Sequence, residues 1–147
     1  MEKAYAAAKN RGADDAIMLR SGILYETTRG NLFWIKSGVV HTPELNLGCL
    51  PGVMRAWVIR QLRRRKIPVR EGRYDRSALL CADAVFRTNA LIGVSWVREI
   101  IGFKKWRGPL HPIAARLQRD LRARILRLKS SRSPRISRRS SVSGSIP

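Results

Sequence analysis

The chain has 147 residues, 44% of them apolar, which suffices for one domain with a real core. It carries 30 Lys/Arg against 10 Asp/Glu, a formal net charge of +20. No apolar run is long enough to cross a membrane, and two cysteines without CxxC spacing (Cys49, Cys81) with two isolated histidines (His41, His111) exclude a zinc-ligand pattern.

The opening stretch, MEKAYAAAKNRGADDA, lacks the apolar core of a signal peptide, so reduced thiols and a cytoplasmic location are expected. Its Ala-rich part predicts a helix over 4–10, stopped near Gly12. AIMLR (16–20) predicts a strand, and GIL (22–24) the start of its hairpin partner. Glu26 follows in a small polar loop beside Thr27, Thr28 and Asn31. NLFWI (31–35) and VVHT (39–42) predict a hairpin across Lys36-Ser37-Gly38. Pro51-Gly52 reads as a turn, and Val53–Lys66 as an amphipathic helix with Val53, Trp57, Val58 and Leu62 on its apolar face. Arg60, Arg63, Arg64 and Arg65 cover the outer face and last turn of that helix, where cations oppose its negative pole.

IPVREGRY (67–74) predicts a short strand with a turn, and Ser77 the N-cap of a short helix over 78–82. AVFRT (84–88), LIGVSWV (91–97) and EIIGF (99–103) predict three more strands. Residues 111–129 form a last helix, with Ile113, Leu117, Leu121, Ile125 and Leu128 on one stripe. The charge excess gathers here: residues 103–147 hold 13 Lys/Arg against one acid. The last eighteen residues, 130–147, hold eight Ser and four Arg and are expected to be a disordered tail, whose one suggested partner is nucleic acid bound nonspecifically. The whole reads as one mixed α and β domain over 1–129, followed by that tail.

Two places read as chemical. The helix opening at Gly52-Val53-Met54 offers free N–H groups and a positive dipole end, hence an anion site, although a Gly-initiated helix is also an ordinary turn. The strand end at Thr88-Asn89-Ala90 offers further N–H donors. Glu26 is either a solvated loop acid or a carboxylate aimed at a cationic ring nitrogen.

The motifs GADDAIML, ETTRGNLFWIKSGVVHTP, LPGVMR and ADAVFRTNALIGV, in this order and spacing, resemble the C-terminal half of the class IV aminotransferases, the fold-type IV pyridoxal-phosphate enzymes. The resemblance runs from Met1 to about Phe103 and implies the mixed-sheet, helix-packed cofactor domain of that fold, α+β or α/β in class. It implies pyridoxal 5′-phosphate as cofactor, with Glu26 on the ring nitrogen and Val53, Met54, Asn89 and Ala90 on the phosphate. NLFW, Met54 and TNAL look most like the 4-amino-4-deoxychorismate lyases, which split that small molecule into 4-aminobenzoate and pyruvate for folate synthesis. A branched-chain or D-amino-acid transaminase is the first alternative, and a nonenzymatic basic nucleic-acid-binding protein the second. The resemblance implies a homodimer for the full-length family. It places the Schiff-base lysine upstream of Met1, with Lys3 and Lys9 out of register, so the chain is expected to be an inactive fragment with no catalytic lysine of its own.

Overall fold

The computed structural model describes residues 1–131. In chain order these form α1 (Glu2–Asn10), β1 (Ile17–Arg20), β2 (Ile23–Thr27), β3 (Asn31–Lys36), β4 (Val39–Pro43), a 3-10 turn (Leu45–Leu47) and α2 (Val53–Arg64). Then come β5 (Val69–Gly72), α3 (Ser77–Leu80), β6 (Ala84–Asn89), β7 (Gly93–Val97), β8 (Glu99–Ile100), β9 (Lys104–Lys105) and α4 (Pro112–Ser131). The expected mixed sheet with packed helices is present. Its five strands lie in the order β5-β4-β3-β6-β7, antiparallel except for the β4–β5 pair.

The central strand β3 is buried on both faces, which is why NLFWI is a continuous apolar run rather than an alternating one. Phe33 and Ile35 face one core with Trp57, Val58 and Leu62 of α2, Phe86 of β6 and Leu117 of α4. Leu32 and Trp34 face the other, with Leu24 of β2, Leu79 of α3 and Val85 of β6. Phe33 and Phe86, directly paired across β3 and β6, stack at 5.0 Å. On the second face His41 stacks on Trp34 at 5.6 Å, and its Nδ1 lies 3.2 Å from the Tyr74 hydroxyl.

Several local expectations are corrected. Glu26 is not in a loop: it lies on β2, only 3% exposed, and the polar turn starts after Thr27. Gly22 is not strand but the second residue of a two-residue turn with Ser21; Ser37 and Gly38 form another, because Lys36 pairs with Val39. All four residues have positive φ, as hairpins closed by Ser-Gly require. Ser77 starts α3 rather than capping it; the Asp75 carboxylate accepts both the Ser77 N–H and its hydroxyl. EIIGF is a two-residue strand and a turn that returns to pair Ile100 with Lys104. Val53 is 73% exposed, so the buried face of α2 starts at Arg55 and Trp57. The apolar stripe of α4 packs only over its first half: Leu117 is buried, while Ile125 and Leu128 are exposed. Helix α4 continues to Ser131, which takes Ser130 and Ser131 out of the expected tail; residues 132–147 lie outside the described residues.

Helix α2 ends without glycine. Ile67 N–H bonds to Leu62 O, Lys66 N–H bonds to Arg63 O, and Lys66 takes a φ of 56°. This is the pattern of a left-handed helix cap, followed by Pro68, which cannot extend the helix.

Candidate functional site

The sheet brings the predicted residues to one corner. Asn31 starts β3 and stands opposite Thr88 near the end of β6, with Asn89 next along. Both Asn31 and Thr88 share strand parity with Phe33 and Phe86, so they face α2. The side chain of Asn31 donates to Leu50 O at 2.7 Å, and the Leu50 N–H in turn donates to Glu26 Oε2 at 3.0 Å. One loop residue thus ties β2, β3 and the approach to α2 together.

The first turn of α2 carries no capping side chain and no acidic residue. Its first N–H groups, those of Val53 and Met54, therefore lack protein partners among the described residues. Gly52 sets the approach: a Cβ there would lie 2.3 Å from Asn31 Oδ1. Gly30 does the same across the sheet, where a Cβ would lie 2.3 Å from Thr88 O. The Thr88 hydroxyl is fully buried and has no hydrogen-bond partner among the described residues. The Met54 side chain packs into the core, so this residue offers the corner its backbone alone.

Asn89 is committed to its turn. Its Nδ2 donates to Arg29 O at 2.7 Å, and its Oδ1 accepts the N–H groups of Leu91 and Ile92. A free Asn89 amide toward an anion is therefore replaced by a structural one, while exposed Ala90 follows it at the turn. Arg29 is exposed and stacks on the Tyr5 ring at 3.8 Å. Arg55 is buried and points away from the corner, bonding Pro43 O at 2.9 Å and Glu71 at 2.8 Å.

Behind the corner lies a group that sequence reasoning passed over. Asp15 accepts the Thr28 hydroxyl and the Arg87 guanidinium. Burial pushes its carboxyl up, but hydrogen bonds from Thr28, Thr27, Arg87 and the Ala16 N–H outweigh that and hold it below the ordinary Asp range. The signal was present as the second acid of GADDA, but nothing local pairs it with an Arg 72 residues away. Cys49 sits nearby, buried, and burial pushes its thiol up.

Chemically the corner offers two things. The end of α2 suits an anion, because unpaired N–H groups and the dipole act together. Glu26 suits a cation: it is almost wholly buried, and one oxygen, Oε1, has no donor among the described residues. None of the chain's seven lysines is bonded to either. Lys9 meets Asp14, Lys36 meets Asp83, Lys104 meets Leu80 O and Ala82 O, and Lys105 meets Glu99, while Lys3, Lys66 and Lys129 are exposed on helices or a helix end. Among the described residues no group of three or more His, Cys, Asp or Glu could hold a metal ion, and no helix is long and apolar enough to cross a membrane.

Known proteins resemble this chain in sequence and fold. The family model for amino-transferase class IV matches residues 1–100. The branched-chain-amino-acid aminotransferase of Escherichia coli (strain K12) is 32% identical over 112 residues, which are 76% of this chain and 36% of the relative. The aminodeoxychorismate lyase of Bacillus subtilis (strain 168) is 34% identical over 88 residues, 60% of this chain and 28% of the relative. The branched-chain amino acid aminotransferase of Thermoproteus uzoniensis, solved with norvaline, superposes with a TM-score of 0.78 at 31% identity. That match covers 88% of this chain and 43% of the solved one. The chain thus spans well under half the length of these proteins. With the ordered motifs, the mixed sheet and the Glu26 corner in hand, these matches place it in the amino-transferase class IV family, the fold-type IV pyridoxal-phosphate enzymes.

Proposed function

We propose that this chain supplies the ring-nitrogen and phosphate contacts of a pyridoxal 5′-phosphate site in a class IV carbon–carbon lyase. The reaction releases pyruvate from 4-amino-4-deoxychorismate and leaves 4-aminobenzoate, a step of folate synthesis in the cytoplasm carried out by a homodimer. The observation that carries the reading is the buried Glu26 carboxylate, fixed through one oxygen by Leu50 N–H, in the same corner as the uncapped start of α2. The fit is supported by the close approach of Asn31 to Gly52, which only a residue without a Cβ allows, and by the lack of any acid in the first turn of α2.

Bound pyridoxal phosphate supplies an electron sink for charge developing on the substrate carbon beside the amine. Glu26 holds a proton on the ring nitrogen, because a carboxylate out of water stabilises a facing cation strongly. Val53 and Met54 would hold the phosphate through their N–H groups, with the Asn89-Ala90 turn as the second contact. Leu50 and Asn31 keep the Glu26 carboxylate in place, so it needs no reorganisation when the ring binds. In this reading the lysine that completes the chemistry is none of the seven in this chain, and the chain alone is inactive.

The lyase choice rests on Met54 and Ala90, which give the phosphate no hydroxyl donors. A transaminase moving the amino group to a 2-oxo acid is the second reading, favoured by the branched-chain aminotransferases among the relatives. The test uses a full-length class IV protein that carries this chain as its matching segment. With 4-amino-4-deoxychorismate, 4-aminobenzoate and pyruvate should form in equal amounts without an added oxo acid. Faster formation of glutamate from branched-chain amino acids and 2-oxoglutarate would replace the lyase by the transaminase.

A further inference from the structure

The opposite end of α2 lies about 18 Å from the Gly52 corner, at 1.5 Å per residue. Here Arg65 pairs with Asp120 of α4 and also donates to Gln61 O. Asp120 is the only acid in residues 103–147. It shares one helix face with Arg116, Arg124 and Arg127, at spacings of 4, 4 and 3 residues. The side chains of α4 that pack are in its first half: Leu117 is buried, and Leu121 presses on Gly93, where a Cβ would come within 2.2 Å of its Cδ2; Arg124, one heptad past Leu117, lies beyond that packed half. All three arginines are exposed. Arg64 and Lys66, on either side of Arg65, are exposed too. Arg65 pairs with Asp120, and Arg64, Lys66, Arg116, Arg124 and Arg127, which flank that pair on the two helices, make no ion pair among the described residues.

We infer that this two-helix ridge binds the phosphate backbone of a nucleic-acid duplex. Guanidinium groups match phosphate oxygens bidentately, and a ridge spaced by helical turns follows a backbone without reading bases. A duplex fits better than a single strand, because the ridge has no aromatic side chain on which an unpaired base could stack. It also fits better than a lipid surface. The exposed apolar residues of α4, Ile125, Leu126 and Leu128, are spread over about half of the helix circumference and form no single apolar face for a bilayer to take up. The ridge is separate from the Gly52 corner, and the inference does not depend on the cofactor reading.

The experiment is fluorescence anisotropy of the full chain with a labelled random-sequence DNA duplex of about 20 base pairs, across a salt series. Five neutralised phosphates give a log–log salt slope of about −4.5, to which arginines beyond residue 131 add. The readout is therefore a difference. The triple variant Arg116→Gln/Arg124→Gln/Arg127→Gln should make the slope shallower by about 2.7, and the corresponding triple change to Lys should restore it. Ile125→Ser/Leu128→Ser should leave duplex binding unchanged. An unchanged slope in the Gln variant, with its helix content intact by circular dichroism, overturns the inference. So does failure to bind the duplex at low salt, or binding to phosphatidylserine vesicles in its place that is lost in Ile125→Ser/Leu128→Ser.

Discussion

Gly52→Ala reverses the sign that backbone conformation alone would give. Gly52 has φ −65° and ψ 138°, a region open to any residue. Replacing such a glycine by alanine normally stabilises by about 0.4–1 kcal/mol, because the unfolded chain loses freedom. Here the new methyl carbon would lie 2.3 Å from Asn31 Oδ1. The amide cannot simply swing away: Asn31 is 5% exposed, and its Nδ2 is held by Leu50 O at 2.7 Å. Overpacking costs about 1–3 kcal/mol, and loss of the Asn31–Leu50 bond about 1 more. Set against the gain in the unfolded state, the net loss is about 2 kcal/mol, or about 4–8 °C in melting temperature for a chain of this size. Urea unfolding measures it, with Gly52→Ala/Asn31→Ala as the companion that removes the clash. A more stable Gly52→Ala would refute the claim that this corner is closed to a side chain. Equal losses with and without Asn31 would refute the named contact.

Asp15→Asn should cost about 2–4 kcal/mol near neutral pH, since it leaves the largely buried Arg87 unpaired. Because the folded-state value of Asp15 is lowered, its stabilisation is full above the ordinary Asp range and is lost as pH falls through the folded value. The gap between wild type and variant should therefore close in acid, and a gap that widens there contradicts the assignment. Lys66→Gly should stabilise by about 1 kcal/mol in urea unfolding, because the lysine is held at a φ of 56° that glycine adopts freely. Thiol titration under native conditions should show one fast equivalent, exposed Cys81, and one that reacts only on unfolding, buried Cys49.

How far the sequence could be read depends on whether each feature is local. The apolar runs NLFWI and AVF and the stripe of the last helix announced their elements, because burial periodicity is written in adjacent residues. Glu26 was legible as an acid in a polar setting but not as a strand residue. Its carboxylate is fixed by the Leu50 N–H, a backbone partner 24 positions away that no spacing rule reveals. Met54 was legible by its place after Gly52, whereas the fate of its side chain in the core was not. The commitment of the Asn89 side chain to its turn was not legible, because its partners are backbone groups of Arg29, Leu91 and Ile92. How far the stripe of α4 packs was not legible, because periodicity says which face is apolar, not where the sheet beneath it ends.

The central claim, that Glu26 and the start of α2 grip opposite ends of one cofactor, is tested most directly by amide NMR of the chain titrated with pyridoxal 5′-phosphate. The account predicts shifts of the Val53 and Met54 amides, at the phosphate end, and of the Leu50 amide bonded to Glu26, at the ring end. Inorganic phosphate should move only the first pair, and Glu26→Gln should abolish the Leu50 response while leaving Val53 and Met54 responsive. Shifts gathered elsewhere, or a Leu50 response that survives Glu26→Gln, would contradict it.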